Sequence, residues 1–229
     1  MVSILGFKLN PNLYLRDPQS TELGQNIIQY SIKIMEKIGF DEFTFKKLGT
    51  EMGSPEASVY RYFENKHRLL LYLIDWYWTW LDYRIDYQNQ NIESPQQRLR
   101  NTIKMLVDEK KSDPEIPFVD AQMLQRIVHS EFEKTYLTKQ VDADNKEGLF
   151  LPYKELCKKI GQIIKEINPK YAYPQSLAST IMLSATHQLY YAQHLPSLTN
   201  IRKDSKQKFT EMAEFLESLV MQTLNIKDR

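Results

Sequence analysis

Apolar residues recur at intervals of three and four along most of this chain, which is the spacing of one face of an α-helix. The first clear stripe is Leu23, Ile27, Tyr30, Ile34 and Ile38. No segment alternates strictly between polar and apolar residues, and only 7 of the 229 residues are glycine. Since strands and tight hairpins need those features, the pattern predicts an all-α protein.

Capping residues divide the first ninety residues into four predicted helices. Asp17-Pro18 is expected to open a helix that stops at Gly39, and Ser54-Pro55 a short one reaching about Phe63. Between them, Thr44 is a candidate N-cap for a helix from Phe45 to Met52, closed by Gly53. Asn65 is expected to cap a much longer helix, "KHRLLLYLIDWYWTWLDYRIDYQ".

The rest of the chain also divides into predicted helices. Ser94-Pro95 opens one to about Lys111, which "SDPEIP" breaks, and Ser130 with Glu133 forms a capping-box pattern. "DADNKEG" is expected to be a loop. Later helices are expected from about Leu151 to Ile167, from Pro174 to "LPSLTN", and from about Ile201 to Asn225.

The two short helices around Gly53 have the organisation of a helix-turn-helix, whose second helix can enter the major groove of DNA. Val59 and Phe63 are four residues apart and are expected to face the core. Arg61 could read guanine, Glu56 could accept from cytosine, and Ala57 permits close approach to a thymine methyl. Tyr60, Tyr62 and Lys66 suit phosphate oxygens. The full predicted DNA-binding set is Thr44, Lys46, Ser54, Glu56, Ala57, Ser58, Tyr60, Arg61, Tyr62 and Lys66.

The segment "GFDEFTFKKLGTEMGSPEASVYRYFENKHRLL" resembles the DNA-binding segment of the TetR family of transcriptional regulators. The resemblance covers about Leu23 to Leu70. Three positions depart from the family's usual pattern: Gly49 in place of Ala, Ser54-Pro55 in place of an apolar residue followed by Ser, and Ala57 in place of Gly. The matching positions are Gly39, Phe40, Thr44, Leu48, Gly53, Tyr60, Tyr62, Phe63, Lys66, Leu69 and Leu70.

The resemblance implies three parts: an N-terminal arm at 1–17, a DNA-binding domain at 18–66, and a helical effector-binding and dimerisation domain at 67–229. It also implies a homodimer that binds a pseudo-palindromic operator as a repressor and releases it when a small molecule binds. Heptad-like spacing in the last two long helices agrees with the dimer, although the same stripes could close the core of a single chain. The candidate interface is Leu177, Ile181, Ser184, Ala185, Gln188, Phe209, Met212, Ala213, Leu216, Leu219 and Val220.

The long helix after Asn65 is apolar on two faces, so it is buried on both or lines a cavity. One aromatic face could form a ligand pocket, because rings supply apolar area and tyrosine hydroxyls orient a ligand. Simple packing is the alternative. The candidate pocket residues are Tyr72, Trp76, Trp80, Tyr83 and Tyr87.

Composition limits the other functions. Net charge is +1, so any positive field toward DNA must come from the placement of charges. A single cysteine, Cys157, and no signal-like segment indicate a cytoplasmic protein, and no membrane partner is expected. The four histidines are scattered and no catalytic motif is present, so neither an enzyme nor a cofactor or metal site is predicted.

Two alternatives stay open. A helical ligand-binding or protein-interaction protein could have kept the DNA-binding segment and lost operator binding. The N-terminal arm could reach a minor groove, pack on the DNA-binding domain, or be disordered.

Overall fold

Local capping explains where several helices begin. In the computed structural model, which describes residues 6–111 and 116–225, the side chains of Thr44, Asn65 and Ser94 each accept a hydrogen bond from a main-chain N–H three residues on. Eleven α-helices and no β-strand are present in these ranges, which confirms the all-α class. The helices are α1 Glu22–Glu42, α2 Phe45–Met52, α3 Glu56–Tyr60, α4 Lys66–Asn89, α5 Pro95–Val107, α6 Ala121–Ser130, α7 Phe132–Tyr136, α8 Val141–Lys146, α9 Leu151–Ile167, α10 Pro174–His194 and α11 Lys208–Thr223.

Several predicted boundaries are wrong. Asp17-Pro18 begins only a 3-10 turn, Pro18–Ser20, and Thr21 is the true N-cap of α1. Ser130 closes α6 instead of capping a helix, since its hydroxyl donates to the carbonyl of Ile127. The expected loop "DADNKEG" contains α8, and α11 begins at Lys208. The expected break at 112–117, like the first residues of the arm, falls largely outside the described residues.

The chain forms two compact units. The described residues of the first are 6–80, 110–111 and 116–151, so α1, α2, α3, α6, α7, α8 and the first part of α4 belong together. In this unit α1 packs against α2 and α6, and α2 packs against α3. This division departs from the predicted boundary after residue 66, because residues 116–151 pack with the DNA-binding segment.

The second unit comprises residues 81–109 and 152–225. Its core is built by α5, α10 and α11, which pack on one another. On α9, Lys159 lies 2.5 Å from an oxygen of Asp82 and 2.6 Å from one of Asp86. These ion pairs join α9 to the last turns of α4 within the unit.

Much of the candidate dimer interface is buried in this core. Leu177, Ile181 and Ala185 of α10 are covered, as are Met212, Ala213, Leu216 and Val220 of α11. These side chains cannot contact a second copy, so for them the core interpretation is correct. Ser184, Gln188, Phe209 and Leu219 are only partly covered, while Leu183 and Phe215 of the same two helices are about half exposed.

Candidate nucleic-acid interface

The turn between α2 and α3 depends on two glycines. Gly53 ends α2 in the left-handed conformation, with φ 62° and ψ 29°, and its N–H bonds back to the last turn. Gly49 has no side chain at the point where the chain returns. A Cβ there would lie 2.7 Å from the carbonyl oxygen of Ser54 and 3.1 Å from the nitrogen of Glu56. Gly49 therefore lets α3 approach the backbone of α2.

The predicted cap of α3 is wrong. Pro55 precedes its first residue, and no side chain caps the helix. Ser54 instead donates its main-chain N–H to the carbonyl of Gly49 at 2.9 Å. Ser54 therefore belongs to the turn that bonds back to α2, and its side chain does not cap α3.

The inner face of α3 is as predicted. Val59 and Phe63 are fully buried, and Leu48 of α2 is buried as well. Tyr60 is 49% exposed, and its ring lies edge-on to the buried Phe45, with 4.9 Å between ring centroids. This contact fixes the ring while leaving its hydroxyl side accessible.

The outward positions carry most of the candidate base readers. Ala57 and Arg61 are exposed, and Glu56, Ser54 and Ser58 are partly covered. On α2, Thr44 and Lys46 are exposed. Within the described ranges, the side chains of Lys46 and Arg61 show no ion pair, whereas the neighbouring Lys47 is paired with Glu42 at 3.3 Å. Lys46 and Arg61 are thus the cations best placed to meet an anion from outside.

The prediction that Tyr62 contacts a phosphate is wrong. The helix was expected to reach Phe63 but ends at Tyr60, so the chain turns Tyr62 inward, where its side chain is 1% exposed. Its hydroxyl is 2.8 Å from that of Thr21, and the Arg16 guanidinium lies over its ring. A side chain so covered cannot contact a phosphate.

Lys66 also has a different role from the predicted one. Its ammonium donates three hydrogen bonds to main-chain carbonyls at the end of α1 and just after it, at 3.1 Å to Phe40, 2.9 Å to Asp41 and 3.1 Å to Phe43. An ammonium has three donors, so all of them are used. Lys66 holds the end of α1 against the start of α4, and the prediction of a phosphate contact does not hold.

The end of α1 has a second anchor. At Gly39 the backbone leaves helical geometry, with φ 74° and ψ 165°. Glu131, at the junction of α6 and α7, accepts the freed N–H of Phe40 at 3.1 Å. Lys134 lies 2.9 Å from Glu131 and 2.7 Å from Asp41. The bend at the end of α1 is therefore bonded to Glu131 and Lys134 as well as to Lys66.

The N-terminal segment packs on the same unit. Leu9 and Leu13 are buried, and Leu15 donates its N–H to the carbonyl of Tyr62 at 2.7 Å. Asn10 donates to the carbonyl of Glu147 at 2.8 Å. Of the three alternatives for the arm, packing is the one observed for residues 6–16.

The aromatic residues of α4 divide into two groups. Tyr72, Trp76 and Trp80 are buried in the first unit, where Tyr14 and Phe63 lie against Tyr72. Tyr83 and Tyr87, in the second unit, are 41% and 67% exposed. The buried group is thus at least partly packed by the chain itself. Sequence reasoning missed Asp75 in the middle of the buried group, although one acid in the run "LLLYLIDWYW" could have been noticed.

Solved structures with the same architecture include TetR-family regulators. A TetR-family regulatory protein from Rhodococcus RHA1 superposes with a TM-score of 0.64 at 14% identity, covering 91% of this chain and 100% of that one. The protein has the fold of the TetR-family regulators. A TetR-family regulator from Pectobacterium atrosepticum gives 0.59 at 18% identity, with 93% and 100% covered.

A third structure contains bound molecules. AibR in complex with isovaleryl coenzyme A and operator DNA gives a TM-score of 0.62 at 12% identity, covering 90% of this chain and 100% of AibR. No protein-family model and no curated protein matches the sequence itself. At these identities the likeness establishes the fold, and function must be argued from the residues.

The described residues also bear on two other kinds of site, a metal site and a membrane-spanning helix. Among the described residues, no three His, Cys, Asp or Glu side chains are placed to hold a metal ion. Nor does any helix in those ranges have the length and apolar character needed to cross a membrane.

Proposed function

We propose that this protein is a DNA-binding transcriptional regulator that represses by binding a pseudo-palindromic operator as a homodimer, and that a small-molecule effector releases it. The observation that carries the proposal is the geometry of α2, Gly53 and α3. Val59 and Phe63 anchor α3 inward, while Ala57, Tyr60 and Arg61 face outward. The TetR-like fold and the operator-bound state of AibR support it.

The corrected interface assigns different roles to its residues. Arg61, Glu56 and Ala57 are the base readers, with Ser54 in the turn before α3 and Ser58 within that helix beside them. Tyr60, Thr44 and Lys46 contact the DNA backbone. With Lys66 and Tyr62 removed from the set, few cations remain, so non-specific binding is expected to be weak and its salt dependence shallow.

The test begins with selection of binding duplexes from a random-sequence library by the purified protein. Affinity is then measured for the selected site at several salt concentrations. Arg61→Ala should lose about 1–3 kcal/mol of discrimination at one base pair per half-site, while Lys46→Ala should weaken all sequences equally and reduce the salt slope.

Arg202→Ala and Lys206→Ala are matched controls, because both side chains are exposed in the second unit. They should leave affinity and slope unchanged. If no sequence is enriched, or if Arg61→Ala binds every duplex like the wild type, the operator proposal fails and the helical ligand-binding alternative takes its place.

A further inference from the structure

Asp75 is a buried acid in the interior of the first unit. It lies in the third turn of α4, its side chain is 2% exposed, and its Oδ2 has no hydrogen bond within the described residues. Burying a polar group without a hydrogen bond is costly, and native interiors rarely keep one. A binding partner from outside the chain would supply the interaction that this carboxyl lacks.

The helix sets the neighbours of Asp75. On an α-helix, residues three and four positions away share a face, which here brings Leu71, Tyr72, Trp78 and Thr79 beside the carboxyl. Leu71, Tyr72 and Trp78 are all buried. Thr79 does not satisfy the acid, because its hydroxyl donates to the main-chain carbonyl of Asp75 at 2.8 Å.

No basic group of the described chain pairs with Asp75. Burial is the cause that raises the pKa of this carboxyl to about 8. Along its own helix, Asp75 therefore has an aromatic residue on either side and a buried aliphatic side chain next to it. Aromatic faces and carboxylates both attract cations, and neither attracts an anion.

We propose that Asp75 receives the cationic group of the effector, an organic ammonium attached to an apolar body, with Tyr72 and Trp78 beside it. This inference rests on the proposed function, since it names the chemical class of the effector. The ammonium pairs with the carboxylate once Asp75 has released the proton that burial favours, and the apolar body replaces side-chain contacts in the surrounding core. A neutral compound of the same shape lacks the first interaction, and an acidic one opposes it.

Binding at this position is coupled to movement. Because Asp75 is covered, a ligand reaches it only when the side chains over it are displaced, so the ligand favours a rearranged state of α4. The same helix begins at Lys66, which holds the end of α1 beside α2. A shift of α4 therefore acts on the segment that positions the candidate DNA-binding helices.

The test uses two probes of equal shape, phenyltrimethylammonium and its neutral isostere tert-butylbenzene. Binding to the full-length protein is followed by tryptophan fluorescence and calorimetry. The wild type should bind the cation at least tenfold more tightly than the isostere. Asp75→Asn should abolish that preference, and Asp86→Asn, an acid in the last turns of the same helix, should keep it.

Equal binding of both probes by the wild type would overturn the inference. So would the absence of cation binding at 1 mM, a concentration on the order of the dissociation constants of weakly bound small molecules. An unchanged preference in a folded Asp75→Asn protein, with folding checked by circular dichroism, would also overturn it. Operator affinity is measured separately. An operator-binding protein without cation preference refutes only this inference, whereas cation binding without operator binding refutes the proposed function.

Discussion

At the scale of single residues, Gly49 has the opposite effect to the one its residue type suggests. Gly49 in a helix looks like a weakness, since glycine costs about 0.5–1 kcal/mol relative to alanine there. The structure shows why it is needed, because the carbonyl of Ser54 occupies the space of a Cβ. Local propensity could not reveal this, since the contact depends on how the chain returns after Gly53.

Gly49→Ala should therefore destabilise the protein despite the better helix propensity. Overpacking of this kind costs about 1–3 kcal/mol, which exceeds the gain. Urea unfolding should show a lower free energy of unfolding than the wild type. Thr50→Ala, at the exposed next position of α2, is the matched control and should change stability by less than about 0.5 kcal/mol. A Gly49→Ala protein as stable as the control would contradict the close approach.

Asp75 makes stability depend on pH. Burial raises its pKa from the ordinary 3.8 to about 8 in the folded chain. Between these values the folded state holds a proton that the unfolded state releases, so the free energy of unfolding falls as pH rises. The slope contributed by this one group is at most about 1.4 kcal/mol per pH unit.

Asp75→Asn removes the titrating group and keeps the shape. Urea unfolding at pH 5, 6 and 7 should show the variant gaining stability relative to the wild type as pH rises. Asp86→Asn, at an exposed position of the same helix, is the control and should show the same dependence on pH as the wild type. Parallel profiles for the wild type and Asp75→Asn would show that Asp75 has an ordinary pKa.

At the scale of elements, the sequence predicts what is decided within a few residues. The starts of α2, α4, α5 and α10 follow from a cap or a proline, and α9 follows from its apolar spacing. Val59 and Phe63 were both correctly expected to be buried, although Phe63 lies three residues beyond the end of α3 and does not share a helix face with Val59.

Contacts between distant elements could not be predicted in this way. Lys66 bonds to carbonyls more than twenty residues earlier, and Glu131 bonds to an N–H ninety-one residues earlier. The residue types allowed phosphate binding by Lys66 equally well, and only the position of α1 decides between the two roles. The helix α8 was missed because its acidic and polar sequence resembles a loop.

The N-terminal segment shows the same limit. The sequence left three alternatives open for the arm, and packing is the one observed, since Asn10 bonds to Glu147 and the nearby Leu13 is buried. Two leucines four residues apart, Leu9 and Leu13, carry too little periodicity to predict packing on their own. The segment's place is determined by the surface that residues 116–151 and α4 offer it.

At the scale of the whole molecule, the dimer proposal now depends on the outward side chains of α10 and α11. Most residues of the heptad-like stripes on α10 and α11 are buried within the chain, because the same spacing serves the core of the second unit. Leu183 and Phe215 remain 43% and 45% exposed, and Gln188 and Leu219 are partly covered. Large apolar side chains at accessible positions of two long helices suit a contact with a second copy.

We expect Leu183→Glu combined with Phe215→Glu to produce a monomer. In a dimer interface of ordinary size, about 800 Å² per partner, each introduced carboxylate would be buried without a positively charged partner. The free-energy cost of burying these charges would outweigh the stabilisation from the interface. Sedimentation equilibrium should give the wild type twice the mass of one chain and the double variant the mass of one. Leu137→Glu, at a leucine 74% exposed in the first unit, is the control and should remain dimeric.

The same variant separates dimer formation from DNA recognition. A monomer keeps α2 and α3 unchanged, so it should still bind a single half-site, with the low affinity expected of one short recognition helix and few cations. It should lose the additional affinity for a two-half-site operator, because that gain comes from linking two binding events. If the double variant stays dimeric, the contact lies elsewhere on the chain. If it becomes monomeric and still prefers two half-sites to one, the linkage of operator binding to this interface is wrong.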